Sequence, residues 1–334
     1  MKKLLSGIKP TGELTLGNYI GAIKQFVKMQ EDYESYIFVA DLHALTVYND
    51  PETLRRRTRD IIAVYLACGL NPEHTTLFMQ SENLYHPLLG WIMACNSYMG
   101  EMSRMTQYKE KSKNKNESAI SCGLFTYPDL MAADILMYDA DVVPVGIDQK
   151  QHVELARNIA ERFNNKYGDT FVVPEAIITK EGAKIYDLQV PTKKMSKTAD
   201  NDKGCILLLD DVDKARKKIM SAVTDSESIV KYDPENKPGI SNLMTIYGSL
   251  TSKTPDTYPY EEIEKEFDGA NYGTFKKAVA DEVCNLLTTI QTKYNEIINS
   301  NLINEVLDKG LAKTNEVASK KLKQVLDKIG IGRM

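Results

Sequence analysis

Lys3-Leu4-Leu5-Ser6-Gly7-Ile8-Lys9-Pro10-Thr11-Gly12-Glu13-Leu14-Thr15-Leu16-Gly17-Asn18-Tyr19-Ile20-Gly21 reads as an apolar strand, a glycine-rich turn and the start of an amphipathic helix. A strand that hands over to a helix through such a turn presents backbone N–H groups that cradle phosphate. Glycines at 7, 12, 17 and 21 allow close backbone approach and tight helix packing, and Thr11 and Asn18 offer neutral polar groups to phosphate or ribose. An ordinary strand-to-helix turn has the same look, so this segment alone does not decide function. A P-loop is excluded, because G-x-x-x-x-G-K-[ST] is absent, and the glycine spacing does not give G-x-G-x-x-G either.

Outward from this segment, apolar runs alternate with helical patterns up to about Val173. Strands are expected at 4–8, 36–40, 75–80 and 141–145, each bounded by Gly, Pro, Asp or Asn. Helices are expected at 17–29, 51–68, 84–98, 127–138 and 149–166. Asp50-Pro51 is an N-cap followed by proline at the first helical position, and Gly69 ends that helix. Strands separated by helices of this length predict an α/β fold with a doubly wound, parallel, Rossmann-type sheet, whose ligand crevice lies at the carboxyl ends of the strands. From Asp210 onward the strand pattern disappears. Helices at 211–223, 240–250, 260–267, 274–300 and 302–329 predict a second, all-helical domain.

The composition is that of a soluble globular protein. The 334 residues, 43% hydrophobic, suffice for a large buried core and suggest two domains. A formal charge of -4 argues against coating nucleic acid by bulk charge, so any RNA contact must come from a local basic patch. The five cysteines are scattered without a C-x-x-C pair, which indicates neither a disulfide framework nor a zinc site and suits a reducing, cytoplasmic location. No run reaches the roughly 18 apolar residues that span a bilayer. The lysine-rich stretch 109–117 reads as an exposed loop, and Arg55 to Arg59 as a wet helix face.

Two further segments carry chemistry. Lys194-Met195-Ser196-Lys197-Thr198 places two lysines and two hydroxyls on a polar stretch after Pro191. Lysines on a loop can swing onto a leaving pyrophosphate as its charge builds. Asp134 stands among Met131, Ile135 and Leu136, so its carboxylate needs a donor, from a ligand or from the protein itself. Gly146 to Gln149 follows the fourth strand at the crevice edge, where Asp148 and Gln149 are placed to meet an amino acid or a ribose.

These segments, in this order, resemble the two signatures of class I aminoacyl-tRNA synthetases, the second usually written KMSKS. The chain resembles the bacterial-type tryptophanyl-tRNA synthetases along nearly its whole length. The likeness is carried by SGIKPTGELTLGNYIGA (6–22), DLHALT (41–46), RMTQYKEKS (104–112), TYPDLMAADILMYDADVVPVGIDQKQHVELARNIAERFN (126–164), PTKKMSKT (191–198) and KPGISNL (237–243).

The resemblance implies roles for particular residues. Lys9, Pro10, Thr11, Gly17 and Asn18 would form the first ATP-binding segment, with Gly146, Ile147 and Asp148 at ribose and adenine, and Ile185 at adenine. Lys194, Met195, Ser196, Lys197 and Thr198 would form the pyrophosphate loop, with Gln107 and Lys111 facing the triphosphate. Asp134 would accept the indole N–H, and Tyr127 and Gln149 would hold the α-ammonium. Met131, Val143 and Val145 would wall the ring, with Leu5, Gly7 and His43 nearby. The chain departs from the family pattern at Lys9, Leu5, Ile147 and Thr198, where glutamine, an aromatic, an acidic residue and serine are common. Lys9 adds a cation beside ATP, which bears on magnesium dependence and on inhibitors of that site.

By the same resemblance, the tryptophan carboxylate attacks the α-phosphate of ATP, carried with Mg2+, and the adenylate then acylates tRNA(Trp). The implied layout is a catalytic domain at 1–185, a mobile loop at 186–205, an anticodon-binding helical domain at 206–300 and a C-terminal helix at 301–334, in a homodimer with no membrane attachment. The nearest rival is a tyrosyl-tRNA synthetase, separated by the Met131-Ala132-Ala133-Asp134-Ile135 context. A non-charging protein that binds tRNA or senses tryptophan would be expected to lose the loop lysines or the Gly17 turn. An adenylyltransferase for a small metabolite would lack the helical domain.

Overall fold

The computed structural model describes residues 1–113, 120–178, 184–197, 202–251 and 260–333. Strand β1 (Lys3–Ile8) leads into helix α1 (Leu16–Asn18), a π-helical stretch (Tyr19–Ile23) and α2 (Lys24–Met29). After β2 (Glu34–Val39) come α3 (Asp41–Ala44) and α4 (Pro51–Ala67). After β3 (Thr75–Met79) come α5 (Tyr85–Ala94), α6 (Met99–Met102), α7 (Thr106–Ser112) and α8 (Cys122–Met137). Strand β4 (Val142–Val145), α9 (Lys150–Tyr167) and β5 (Glu175–Ile178) complete the sheet. The helical part consists of α10 (Val212–Met220), α11 (Pro238–Thr251), α12 (Tyr260–Glu266), α13 (Tyr272–Ile298) and α14 (Leu302–Ile329).

All strand pairs are parallel, in the order β3-β2-β1-β4-β5. The chain adds strands on one side of β1 and then jumps to the other, so a switch point lies between β1 and β4, where open α/β sheets bind ligands. The two strands pair at Leu4↔Val142. Two residues further on, Pro144 has no N–H to donate, and the carboxyl ends of β1 and β4 part around a cavity. Gly7, on β1, is required by close packing, since a Cβ there would sit 2.7 Å from the Phe38 ring.

The helices follow their local signals. Asp50 caps α4 by accepting from Thr53 N–H at 2.9 Å, and Gly69 follows its end with φ +109. Helix α9 buries Val153, Ala156, Ile159, Ala160 and Phe163, a stripe at three- and four-residue spacing against the sheet. One apolar cluster runs from Leu16, Ile20 and Ile62 to Leu243, Phe275 and Val279, joining the sheet layer to the helical part. Helix α14 packs on β3 because Gly310 has no Cβ to collide with the Leu77 carbonyl. Lys321 on the same helix donates to the Thr170 carbonyl at 2.8 Å and pairs with Asp139 at 2.7 Å.

Several expectations need correction. Strand β5 was not read from sequence; its four residues are partly exposed and follow a proline. The 17–29 helix is interrupted by the π-helical turn at 19–23. Helix α8 starts at Cys122 rather than 127, because Ser121 caps it by accepting from Leu124 N–H, and Pro128 lies inside it rather than at its first turn. Lys109 and Lys111 sit on α7, not on a loop. Gln107, Lys109, Glu110 and Lys111 are good helix formers that need no apolar stripe. Residues 114–117 of that stretch lie outside the described residues.

Candidate functional site

The opening between β1 and β4 is a cavity of about 360 Å3. Its walls are Leu5, Gly7, Phe38, Met131, Val143 and Val145, and its polar groups are Lys9, His43, Gln107, Lys111, Tyr127, Asp134 and Gln149, with Gly146 at the rim. Leu5 and Gly7 project from β1, Val143 and Val145 from β4, and Met131, Asp134 and Tyr127 from α8. An apolar enclosure with a few convergent polar groups is the usual form of a small-molecule site.

Asp134 is fully buried at the floor. Its Oδ1 accepts from Gln80 Nε2 at 2.8 Å and from His86 Nδ1 at 2.6 Å, and its Oδ2 accepts from His43 Nε2 at 2.7 Å. The other nitrogen of His86 meets the Tyr138 hydroxyl at 2.6 Å, which also accepts from Asn83 Nδ2 at 3.2 Å. Burial pushes the Asp134 carboxyl up, but the hydrogen bonds and charges of His43 and His86 outweigh it and hold the group below the usual carboxylate range. Of the two sources of a donor that the sequence left open, the protein itself supplies three donors, from Gln80, His86 and His43. A carboxylate offers about four lone-pair positions, so Oδ2 keeps one for a ligand.

The cavity mouth is built from oriented polar groups. The Tyr127 hydroxyl lies 2.8 Å from His152 Nε2, Lys111 Nζ sits 5.6 Å from the Tyr127 ring centre, and His43 meets that ring edge-on. Gln149 donates through Nε2 to Asp148 Oδ2 at 3.1 Å, and Gln107 donates to the same oxygen at 3.4 Å. Lys9 approaches the Thr46 hydroxyl at 3.5 Å. Burial first, and then the neighbouring Lys111 charge, draw the Lys9 ammonium below its ordinary value. These two cations line the same cavity, which favours an anionic ligand.

A second cavity, of about 500 Å3, lies between the glycine-rich turn and the lysine segment. Thr11, Glu13, Thr15, Asn18, Arg57, Lys194, Met195, Ser196 and Lys197 line it. Thr15 caps α1 in a capping box with Asn18, and Leu16 N–H donates to the Ile206 carbonyl at 2.8 Å. Lys194 pairs with Tyr186 in an antiparallel bridge, and Met195 is buried in the core with Ile185. The polar stretch is thus anchored at its start by this isolated bridge. Asn242 of α11 holds the Tyr186 backbone from both sides, accepting from its N–H and donating to its carbonyl, each at 2.9 Å. Lys197 is ion-paired with Glu13.

Of the residues singled out in the sequence, Pro10 is buried, and neither it nor Asp148 lines either of these two cavities. Ile147 is 67% exposed. Gly17 and Ile185 form the seam between the two signature segments. Thr198 lies outside the described residues. Sequence reasoning missed Gln80, His86, Phe38 and His152. The available signal was the polar run Gln80-Ser81-Glu82-Asn83 directly after β3, at the carboxyl edge of the sheet where ligands bind.

The comparisons agree with this architecture. The family model of class I tRNA synthetases (W and Y) matches residues 1–288. The chain is 53% identical over 330 residues to the tryptophan-tRNA ligase of Bacillus subtilis, covering 99% of this chain and 98% of that one. The tryptophanyl-tRNA synthetase structure from Mycoplasma pneumoniae superposes with TM-score 0.86 at 37% identity, covering 99% of this chain and 98% of that one. The Campylobacter jejuni tryptophanyl-tRNA synthetase, complexed with ADP and tryptophan, superposes with TM-score 0.84 at 34% identity, covering 98% of this chain and all of that one. Likeness of this extent, over a parallel sheet and with both signature segments packed against each other, makes the chain a member of the class I tryptophanyl-tRNA synthetase family.

Proposed function

We infer that the chain is a tryptophan-tRNA ligase: it joins L-tryptophan to ATP as tryptophanyl-adenylate, releasing pyrophosphate, and transfers the tryptophanyl group to tRNA(Trp). The observation that carries this reading is Asp134, an ionised, fully buried carboxylate with one free acceptor position on the floor of an apolar cavity. An indole fits such a wall and supplies the N–H. Phenylalanine fits the wall but leaves the acceptor unmet, a difference that a buried polar site converts into discrimination.

On this reading the individual residues have the following roles. Tyr127 and Gln149 hold the ammonium, while Lys9, Gln107 and Lys111 face the phosphates. Thr11, Asn18, Lys194, Ser196 and Lys197 surround the leaving pyrophosphate, and Gly146 with Asp148 meets the ribose. ATP enters with Mg2+ on its phosphate oxygens, the ligands that ion prefers. No enzyme nucleophile is required, because catalysis rests on positioning and on charge stabilisation.

The same reading assigns 1–185 to catalysis, 186–205 to the pyrophosphate loop and 206–300 to the anticodon, with the helix beyond 301 packed on the sheet. It also makes the protein a cytoplasmic homodimer. Support for the dimer comes from an exposed apolar group on and beside α5 and α6: Leu84, Trp91 and Met99 are 77%, 69% and 73% exposed. Among the described residues no helix is long and apolar enough to cross a membrane. Charging of a tRNA(Trp) transcript with labelled tryptophan tests the whole reaction. Adenylate formation without transfer to tRNA would leave only its first half.

A further inference from the structure

His152 has a place in the site that its role in packing does not explain. It lies on α9 behind the cavity wall, 1% exposed, with Nε2 on the Tyr127 hydroxyl at 2.8 Å. Its Nδ1 is buried with no hydrogen-bond partner among the described residues. Burial foremost, helped by the Lys111 charge, holds the ring neutral, with its pKa lowered to about 4. A neutral imidazole has one N–H, so its tautomer decides which way the Tyr127 proton points.

We propose that His152 is a positioning residue for the substrate ammonium: in the tryptophan complex its bare Nε2 accepts a hydrogen bond from the Tyr127 hydroxyl, so that the lone pairs of that hydroxyl face the cavity. This rests on the reading that Tyr127 meets the ammonium. Gln149 supplies a parallel, since its Nε2 is spent on Asp148 and its Oε1 remains to meet a cation. The two acceptors are thus each turned toward the substrate by a neighbour behind them.

The opposite tautomer, with the proton on Nε2, makes Tyr127 the acceptor and aims its hydroxyl proton at the cavity, against the ammonium. That tautomer leaves only a lone pair unmet at Nδ1. The productive one leaves a buried N–H, the costlier orphan. No described protein group on the Nδ1 side fixes the choice, so the ligand's charge fixes it. Its proton count is unchanged, because the ring exchanges a proton on Nε2 for one on Nδ1.

The test compares L-tryptophan, tryptamine (ammonium without carboxylate) and indole-3-propionate (carboxylate without ammonium) by calorimetry on wild type, His152→Leu, His152→Gln and Tyr127→Phe. His152→Leu is expected to weaken tryptophan and tryptamine by about tenfold or more, as for a lost hydrogen bond to a charged group, and to leave indole-3-propionate unchanged. His152→Gln, which can still accept from Tyr127, should recover most of that loss. Equal loss for all three ligands, or no loss, overturns the proposal. If Tyr127→Phe leaves tryptamine binding intact, the reading of Tyr127 itself fails; if Tyr127→Phe weakens it and His152→Leu does not, only the role of His152 fails. Should His152→Leu not fold, the imidazole 15N shifts of wild-type protein with tryptophan decide. A proton on Nδ1 is expected, and a proton on Nε2 contradicts the proposal.

Discussion

Gly17 and Met195 lie against each other: a Cβ built on Gly17 would stand 3.7 Å from Cβ of Met195, and 3.6 Å from Cβ of Ile185. The two signature segments therefore meet through apolar packing, which fixes the distance between the phosphate-facing groups on either side. Contacts of 3.4–3.7 Å are ordinary, so Gly17→Ala should fold normally and keep most activity. Gly17→Leu should wedge the segments apart and slow pyrophosphate exchange by about a hundredfold, the scale of a 1 Å misplacement, with tryptophan affinity little changed. Steady-state exchange kinetics alongside calorimetry would check this.

Lys194 is paired through its backbone with Tyr186, so its side chain starts from a fixed point beside the second cavity. Its charge should matter most as pyrophosphate departs. Lys194→Ala is expected to slow adenylate formation by about two orders of magnitude, as for loss of a group aimed at developing charge, while tryptophan binding stays within a few-fold. Single-turnover kinetics separate the two effects. Equal loss in both would mean that the lysine acts on the ground state.

His86 anchors Asp134 on one side and Tyr138 on the other, without facing the cavity. His86→Leu should cost about 1.5–3 kcal/mol of stability in urea unfolding, the value of a hydrogen bond to a charged group. The Asp134 carboxyl is lowered in the folded state, so its contribution is present above the ordinary carboxylate range and is lost as pH falls through the folded value. The difference between variant and wild type should therefore shrink in strong acid.

Asp129, one turn and a half before Asp134, has the opposite character. It is 3% exposed with one oxygen unpartnered, and burial raises its pKa to about 6, with the Glu101 charge adding to the rise and Ser97 opposing it. A raised carboxyl favours the folded state when protonated, so stability from this group is present at low pH and declines as pH rises from about 4 through about 6. Asp129→Asn should accordingly raise stability at pH 7.5 by about 1–3 kcal/mol and have little effect at pH 4. Thermal unfolding at the two pH values would show it.

What could be read from the sequence was local. The Asp50-Pro51 start and Gly69 end of α4, the β1 turn and the stripe of α9 each lie within one stretch of chain. Strand β5 escaped because four half-exposed residues after a proline carry no alternation. Helix α7 escaped because its residues form a helix by propensity rather than by an apolar face. The Asp134 site was legible only as a carboxylate in an apolar helix. Its partners His43, Gln80 and His86 stand 91, 54 and 48 positions away, and only the sheet brings them together. The likeness of the long 126–164 block supplied the substrate, which no local pattern named.

The central claim is that the cavity over Asp134 selects tryptophan for activation by ATP. Amino-acid-dependent ATP–pyrophosphate exchange on the wild-type chain tests it most directly, with tryptophan, tyrosine and phenylalanine compared at equal concentration. Exchange with tryptophan and none above background with the other two is the predicted result. Exchange driven by tyrosine, or no exchange with tryptophan, would contradict it.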